Sequence, residues 1–238
     1  MHDLIQEMGW NIIRSESPGD PTKWSRLWDS SDGMKNVKAI FLDLSRSTPL
    51  QVSTKIFAKM KQLRLLKIYS SGYYGATEKQ LKRLLWYYEK AIESYSSEDF
   101  QFPAHELRYL HWEGYPLKSL PSNFLGVNLV ELNMKDSNIK QLRQRNERLE
   151  QLKILNLSGS MQLTKISFSN MPNLEQLELQ DCMSLNVVDP SIGDLKNLTT
   201  LDLSGCKTLR VYQVAFNTWT LLKLLPWVIA QTWRNFRR

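Results

Sequence analysis

A three-point apolar signature, L-x-x-L-x-L, returns along this chain about every two dozen residues, and only a fold with the same period can bury it. Five copies are plain: Leu107/Leu110/Trp112, Leu129/Leu132/Met134, Leu152/Leu155/Leu157, Leu174/Leu177/Leu179 and Leu198/Leu201/Leu203. Leu63/Leu66/Ile68 also fits, and Ala39/Leu42/Leu44 fits weakly. From Ala39 onward the first members are separated by 24, 44, 22, 23, 22 and 24 residues. One such unit cannot enclose its own apolar residues, so the pattern implies coils stacked into a solenoid.

This period and consensus define a leucine-rich repeat. The expected fold class is an α/β solenoid, a horseshoe with short parallel strands on the concave face, preceded by a short helical remnant. Side chains alternate faces along a strand. The leucines of L-x-L therefore point inward, and the x residues form a displayed wall. Those residues are Lys67, Tyr109, His111, Glu113, Glu131, Asn133, Lys135, Asn156, Ser158, Gln176, Glu178, Gln180, Thr200, Asp202 and Ser204. Trp112 falls in the inward phase and is assigned to the core. A second apolar set, Leu117/Leu120, Ile139/Leu142, Leu163/Ile166 and Ile192/Leu195, belongs to the return segments. Pro121 and Pro190 suit irregular backbone there, because a missing N–H costs little outside a ladder.

The interval of 44 fits one period plus an insert. Residues 69–101 contain no copy of the signature. Within them, Leu81, Leu84, Leu85 and Tyr88 have helical spacing, so a protruding loop with a helix is expected. The expected domains are a remnant and linker over 1–36, repeats over 37–210 with that insert, and an atypical apolar and basic tail over 211–238.

The net charge of +7 raises the question of nucleic acid. Lys223, Arg234, Arg237 and Arg238 in the last 28 residues have no acidic counterpart, so the other 210 residues carry only +3. No basic stripe interleaved with aromatics lies on the strands, and nucleic-acid binding is not expected. Cys182 and Cys206 each stand eight residues after their repeat's first leucine. They therefore occupy equivalent turns of adjacent coils and are expected to be a buried thiol pair. Two thiols are too few for a metal site. The three histidines, His2, His105 and His111, have no nucleophile or acid at a recognised motif spacing. No enzyme is expected. Met1-His2-Asp3 opens without a basic-then-apolar leader, so no signal peptide is expected.

Several stretches together closely resemble the plant intracellular immune receptors built as a Toll-like (TIR) domain, a nucleotide-binding domain and leucine-rich repeats. They are MHDLIQEMGWNIIRSESPGDPTKWSRLWD, FPAHELRYLHWEGYPLKSLPSNF, NLVELNMKDSNIKQL and MPNLEQLELQDCMSLNVVDPSIGDLKNLTTLDLSGCKTL. The resemblance covers residues 1–210. In that family a Met-His-Asp triplet ends the winged-helix part of the nucleotide-binding module, and its histidine contacts the nucleotide's β-phosphate. The resemblance thus implies His2 and Asp3 as nucleotide-contact residues of a full-length receptor. A phosphate-cradling G-x-x-x-x-G-K-[ST] loop does not occur in this chain. No cofactor is expected for the chain itself, with ADP or ATP belonging only to a full-length receptor.

The family resemblance implies a protein-binding module for effector recognition and autoinhibition in defence. Its partners would be a pathogen effector or a guarded host protein, and the nucleotide-binding module of the same receptor. The expected location is cytoplasmic, with the nucleus as an alternative, and membrane association is not expected. Two alternatives stand beside this: a scaffolding repeat protein without an immune role, and a truncated receptor fragment without function. For the tail, a solenoid cap, a membrane-associated segment and a stretch foreign to the receptor all remain open.

Overall fold

A computed structural model describes residues 37–43, 60–70, 106–142 and 149–209. The expected helical remnant, His2, Asp3, His105, most of the insert and the tail lie outside these residues. Seven short strands form one parallel sheet: β1 (Ala39–Asp43), β2 (Leu65–Tyr69), β3 (Tyr109–Trp112), β4 (Glu131–Asn133), β5 (Ile154–Asn156), β7 (Gln176–Glu178) and β9 (Thr200–Asp202). They are ordered as they occur along the chain, one per coil. β2 pairs directly with β3. Two-residue strands β6 (Lys165–Ile166) and β8 (Val187–Val188) pair in parallel on the return side. Among the described residues the return segments contain no α-helix. They are turns, with one short 3-10 helix at Pro190–Asp194. Asp189 caps that helix by accepting from Ser191 N at 3.0 Å, and Pro190 sits in its first turn, where it forfeits no hydrogen bond.

The leucines stack coil upon coil. Leu66, Leu110, Leu132, Leu155, Leu177 and Leu201 are consecutive partners in the ladder, and all are buried. Leu63, Leu129, Leu152 and Leu174 underlie them, while Met134, Leu157, Leu179 and Leu203 follow at the strand ends. Trp112 lies in this core, edge-on to Tyr115 with ring centroids 5.2 Å apart. The return-segment set Leu120, Ile139, Leu142, Leu163, Ile166, Ile192 and Leu195 closes the same cluster from behind, with Phe124, Phe168, Leu185 and Val188. Each buried leucine contributes about 1.5–3 kcal/mol through lost water contact.

The first coil has a different phase from the one the sequence suggested. Ala39 pairs with Leu65 and Ile40 with Leu66, and Val37 and Ile40 pack on the core. The first triad is therefore Val37/Ile40/Leu42, not Ala39/Leu42/Leu44, and its interval to Leu63 is 26 residues. The segment VKAIFLDL satisfies the spacing in both phases. The phase adopted puts Val37 and Ile40 on the core, whereas the other would leave Ala39 at the anchor position.

After each of β3, β4, β5, β7 and β9 the chain turns inward through one residue with positive φ. In order these residues are Gly114 (66°), Asp136 (56°), Gly159 (73°), Asp181 (57°) and Gly205 (74°). Their N–H groups continue the ladder: Gly114 donates to Lys135 O at 2.9 Å, and Asp136, Gly159 and Asp181 donate to Ser158, Gln180 and Ser204 O at 2.7 Å. Glycine and aspartate alternate because each aspartate side chain lies over the next coil's glycine. A Cβ added at Gly159 would fall 1.9 Å from Asp136 Oδ1, and one at Gly205 1.9 Å from Asp181 Oδ1. Asp tolerates the left-handed region better than most residues with a side chain.

Two stability predictions follow from this packing. Gly159→Ala combines a positive φ with that overlap, and should cost about 2–4 kcal/mol in urea unfolding. Adding Asp136→Gly should recover part of the loss but not all of it, since the backbone conformation remains unfavourable. Equal losses for the single and double variants would mean that the aspartate does not obstruct the site. Leu155→Asp should lose cooperative unfolding altogether, because an uncompensated charge would sit within the continuous core; a Tm like the parent's would rule out the inward register.

Candidate binding face of the parallel sheet

The residues between the leucines come together on one wall, at equivalent ladder positions. Lys67, His111 and Asn133 are consecutive partners, as are Asn156, Glu178 and Asp202. Tyr109 pairs with Glu131, Glu131 with Ile154, Ile154 with Gln176, and Gln176 with Thr200. Gln180 and Thr200 are exposed; Lys67, Tyr109, Glu113, Asn133, Lys135, Asn156, Gln176, Glu178, Asp202 and Ser204 are half-buried. Three of the expected surface residues are instead buried: His111 (7% exposed), Glu131 (6%) and Ser158 (7%). Strands in a sheet stand about 4.8 Å apart, so a bulky neighbour can cover an x residue even on the open face. Glu131 lies between Tyr109 and Ile154, and Ser158 is small beside Asn156.

His111 lacks a partner at any familiar catalytic spacing, yet the fold gives it two. Tyr109, His111 and Glu113 alternate along β3 and the residue that follows it, whose N–H still donates to Ile68 O, and therefore share a face. Tyr109 Oη lies 3.3 Å from His111 Nδ1, and His111 Nε2 lies 3.1 Å from Glu113 Oε1. The N–H of Ser70 donates to Glu113 Oε2 at 3.4 Å from the preceding coil. Lys67, paired with His111, places its ammonium 4.9 Å from the centre of the Tyr69 ring. Burial pushes the Tyr109 hydroxyl well above the ordinary phenol value, and Glu131 and Glu113 push it further. A phenol held protonated is a hydrogen-bonding group rather than a nucleophile. Burial alone would raise the Glu113 carboxyl. The hydrogen bond and charge of His111, the Ser70 N–H and the charge of Lys67 outweigh it and hold Glu113 below its ordinary value.

Other wall residues carry a structural duty that alternation alone does not disclose. Asn133 Oδ1 accepts from Lys135 N at 3.4 Å, Asn156 Oδ1 from Ser158 N at 2.9 Å, and Asp202 Oδ1 from Ser204 N at 2.8 Å. Short Asx side chains thus bridge to the backbone two residues on, steering each strand into its turn. Asn156 Nδ2 also donates to Glu178 Oε2, tying two coils together across the wall. Lys153 and Glu175 form an exposed ion pair at 2.7 Å along its edge.

The wall also includes residues outside the expected set, Ile154 and Phe41 among them. Ile154 is half-buried between Glu131 and Gln176, and was passed over because it is apolar. Phe41 pairs with Lys67 and falls between inward residues in either phase of the first coil, from which no wall residue was expected. Register with the next strand would have identified both. His2 and Asp3, assigned to nucleotide only by resemblance, lie outside the described residues.

The Glu113 network has a pH signature. A carboxyl lowered by folding contributes stability that is present above its unfolded value and lost as pH falls through the folded one. Glu113→Gln should therefore lower Tm at pH 7, with the gap from the parent closing as pH falls from about 5 to about 3. Parallel Tm curves across that range would show that Glu113 is not held by this network.

Comparisons with known proteins agree with this geometry. The family model "Zer-1-like, leucine-rich repeats" matches residues 143–226. Disease resistance protein RPV1 of Vitis rotundifolia is 47% identical over 212 residues, which is 82% of this chain and 15% of that protein. Disease resistance protein RUN1, also of Vitis rotundifolia, is 48% identical over 212 residues, 82% of this chain and 16% of that protein. The chain thus spans about a sixth of the length of these relatives. The leucine-rich repeat domain of the type III effector XopL matches with a TM-score of 0.50 and 18% identity, covering 87% of this chain and 85% of that one, and shows the shared fold alone. Repeat register, fold and relatives converge: this chain belongs to the plant disease resistance proteins that carry leucine-rich repeats.

Proposed function

We propose that the chain is a protein-recognition module of a plant intracellular immune receptor, with the open face of its parallel sheet as the contact surface. The observation that carries this is the arrangement of the wall. Non-identical, mostly polar side chains stand side by side on six consecutive in-register strands, over a core built from a separate set of apolar residues. The relatives' description as disease resistance proteins supplies the setting. Within that setting the partner is a pathogen effector or a guarded host protein, and the same face restrains the receptor's nucleotide-binding module until the partner arrives. The work of the module is binding. The Tyr109–His111–Glu113 chain is a hydrogen-bonded array with a protonated phenol, which suits ordered contact better than bond breaking. A cytosolic location is part of the proposal; among the described residues no helix is long and apolar enough to cross a membrane. So is nucleotide contact through His2 and Asp3, as a property of a full-length receptor; no cofactor is assigned to the repeats.

Gln176, Gln180 and Thr200 are the wall residues to test, because none of them holds a turn. Changing all three to Arg should leave the Tm of the chain within about 2 °C of the parent. Proteins captured by proximity labelling with the parent should then bind the variant at least tenfold more weakly, a loss of about 1.4 kcal/mol. A control on the return side, Lys165→Glu, should bind like the parent. Equal binding by the wall and control variants would overturn the assignment of the contact face.

A further inference from the structure

The residue that follows each positive-φ turn points into the coil and changes chemistry along the solenoid: Tyr115, Ser137, Ser160, Cys182, Cys206. Ser137 and Ser160 share a hydrogen bond of 2.7 Å, and Ser160 Oγ donates to Met134 O at 3.4 Å. The two thiols take over the same duty, Cys182 donating to Leu157 O at 3.2 Å and Cys206 to Leu179 O at 3.1 Å. Both are free thiols and both are buried.

Their registry brings the sulfurs together. Leu177 pairs with Leu201, and each cysteine lies five residues beyond its leucine in the same turn, with Cys182 N bonded to Leu179 O and Cys206 N to Leu203 O. Equivalent points of adjacent coils are about 5 Å apart, inside the span of roughly 4.4–6.8 Å that a disulfide bridges between Cα atoms. Each sulfur acts on the other: the neighbouring thiol, with burial behind it, raises Cys182 above the ordinary thiol value, and the same neighbour interaction lowers Cys206 below it. Cys206 is also the less enclosed of the two, at 6% exposed against 0%.

We propose that Cys182 and Cys206 form an oxidisable dithiol that closes an intrachain disulfide between adjacent coils when a hydroperoxide reaches it. In the first step the Cys206 sulfur, having given up its proton, attacks one peroxide oxygen. The O–O bond breaks, and the departing hydroxide takes up that proton as water, leaving a sulfenic acid. The Cys182 sulfur then attacks the Cys206 sulfur. The S–S bond forms, the S–O bond breaks, and the Cys182 proton leaves with the hydroxide as a second water. Two thiols lose two hydrogens and two electrons, and one hydrogen peroxide becomes two waters. The bridge replaces two S–H···O=C bonds with a covalent tie between coils, so the fold persists while the last described coils lose freedom to separate.

The test uses the full reduced chain at pH 7, exposed to hydrogen peroxide while folded, then unfolded and treated with N-ethylmaleimide. The expected result is an intact mass about 2 Da lower, no maleimide adducts, and one cross-linked peptide containing both cysteines. Circular dichroism should be unchanged. Cys182→Ser should leave Cys206 as a sulfenic acid that dimedone traps, which distinguishes the pair's chemistry from a folding defect. Two maleimide adducts, at a peroxide dose that oxidises the urea-unfolded chain, would overturn the proposal. So would oxidation found only as sulfinic acid or as cross-links between chains.

Discussion

The stacking of one leucine column from coil to coil governs everything else in this protein. Leu110, Leu132, Leu155 and Leu177 each rest on the neighbour before and the neighbour after, from Leu66 at one end of the column to Leu201 at the other. None could be buried by its own coil, whose strand is only three to five residues long. Stability is therefore shared between neighbours, and the period of the sequence follows from that sharing. The same stacking fixes the backbone ladder and the turn geometry. It also aligns the side chains on the open wall, because parallel register fixes both faces of a strand together.

The turn that follows each strand shows how tightly the coils constrain one another. A positive φ is needed at five successive positions, and glycine alone would satisfy the backbone at each. Aspartate takes two of them, and every aspartate is followed one coil later by a glycine. The reason lies between coils, since the aspartate carboxylate occupies the space where the next residue's Cβ would stand. The inward-pointing column beside it follows similar logic. Ser160, Cys182 and Cys206 each donate to a carbonyl of the preceding coil that the interior would otherwise leave without water.

Much of this was legible in the sequence. The leucine spacing alone yields the parallel order, the inward residues of six coils, the core position of Trp112 and the buried thiols. What it missed has a common physical origin. An L-x-x-L-x-L pattern specifies which residues point in, but carries no information about what stands beside them in the next coil. Hence VKAIFLDL fits two phases, and only pairing with Leu65 and Leu66 selects one. Hence also His111, Glu131 and Ser158 qualify as displayed residues by alternation yet are covered by neighbours. The Tyr109–His111–Glu113 chain was present as Y-x-H-x-E, a spacing that means nothing until the segment is known to be extended. The Ser137 and Ser160 turn was hidden because serine is common in any loop, whereas cysteine at the same position drew notice.

These neighbour effects also shape what the wall can do. Asn133, Asn156 and Asp202 hold backbone amides, and Glu113 is held by His111 and Ser70, so a large part of the polar surface is immobilised before any partner arrives. A surface ordered in advance loses little conformational entropy on binding, and that favours affinity at a given contact area. It also restricts where variation is tolerated. Residues that brace a turn cannot change without weakening a coil, while Gln176, Gln180 and Thr200 hold no turn and can. Specificity for different protein partners would therefore concentrate at the unbraced positions, above a framework of braced ones. Ile154, the half-buried aliphatic residue on the wall, lies between Glu131 and Gln176 and so borders both kinds of position. An apolar contact there would gain from water exclusion without disturbing the hydrogen-bonded residues around it. The wall thus unites a fixed polar frame, one apolar foothold and a few free side chains, a combination suited to gripping another protein's surface.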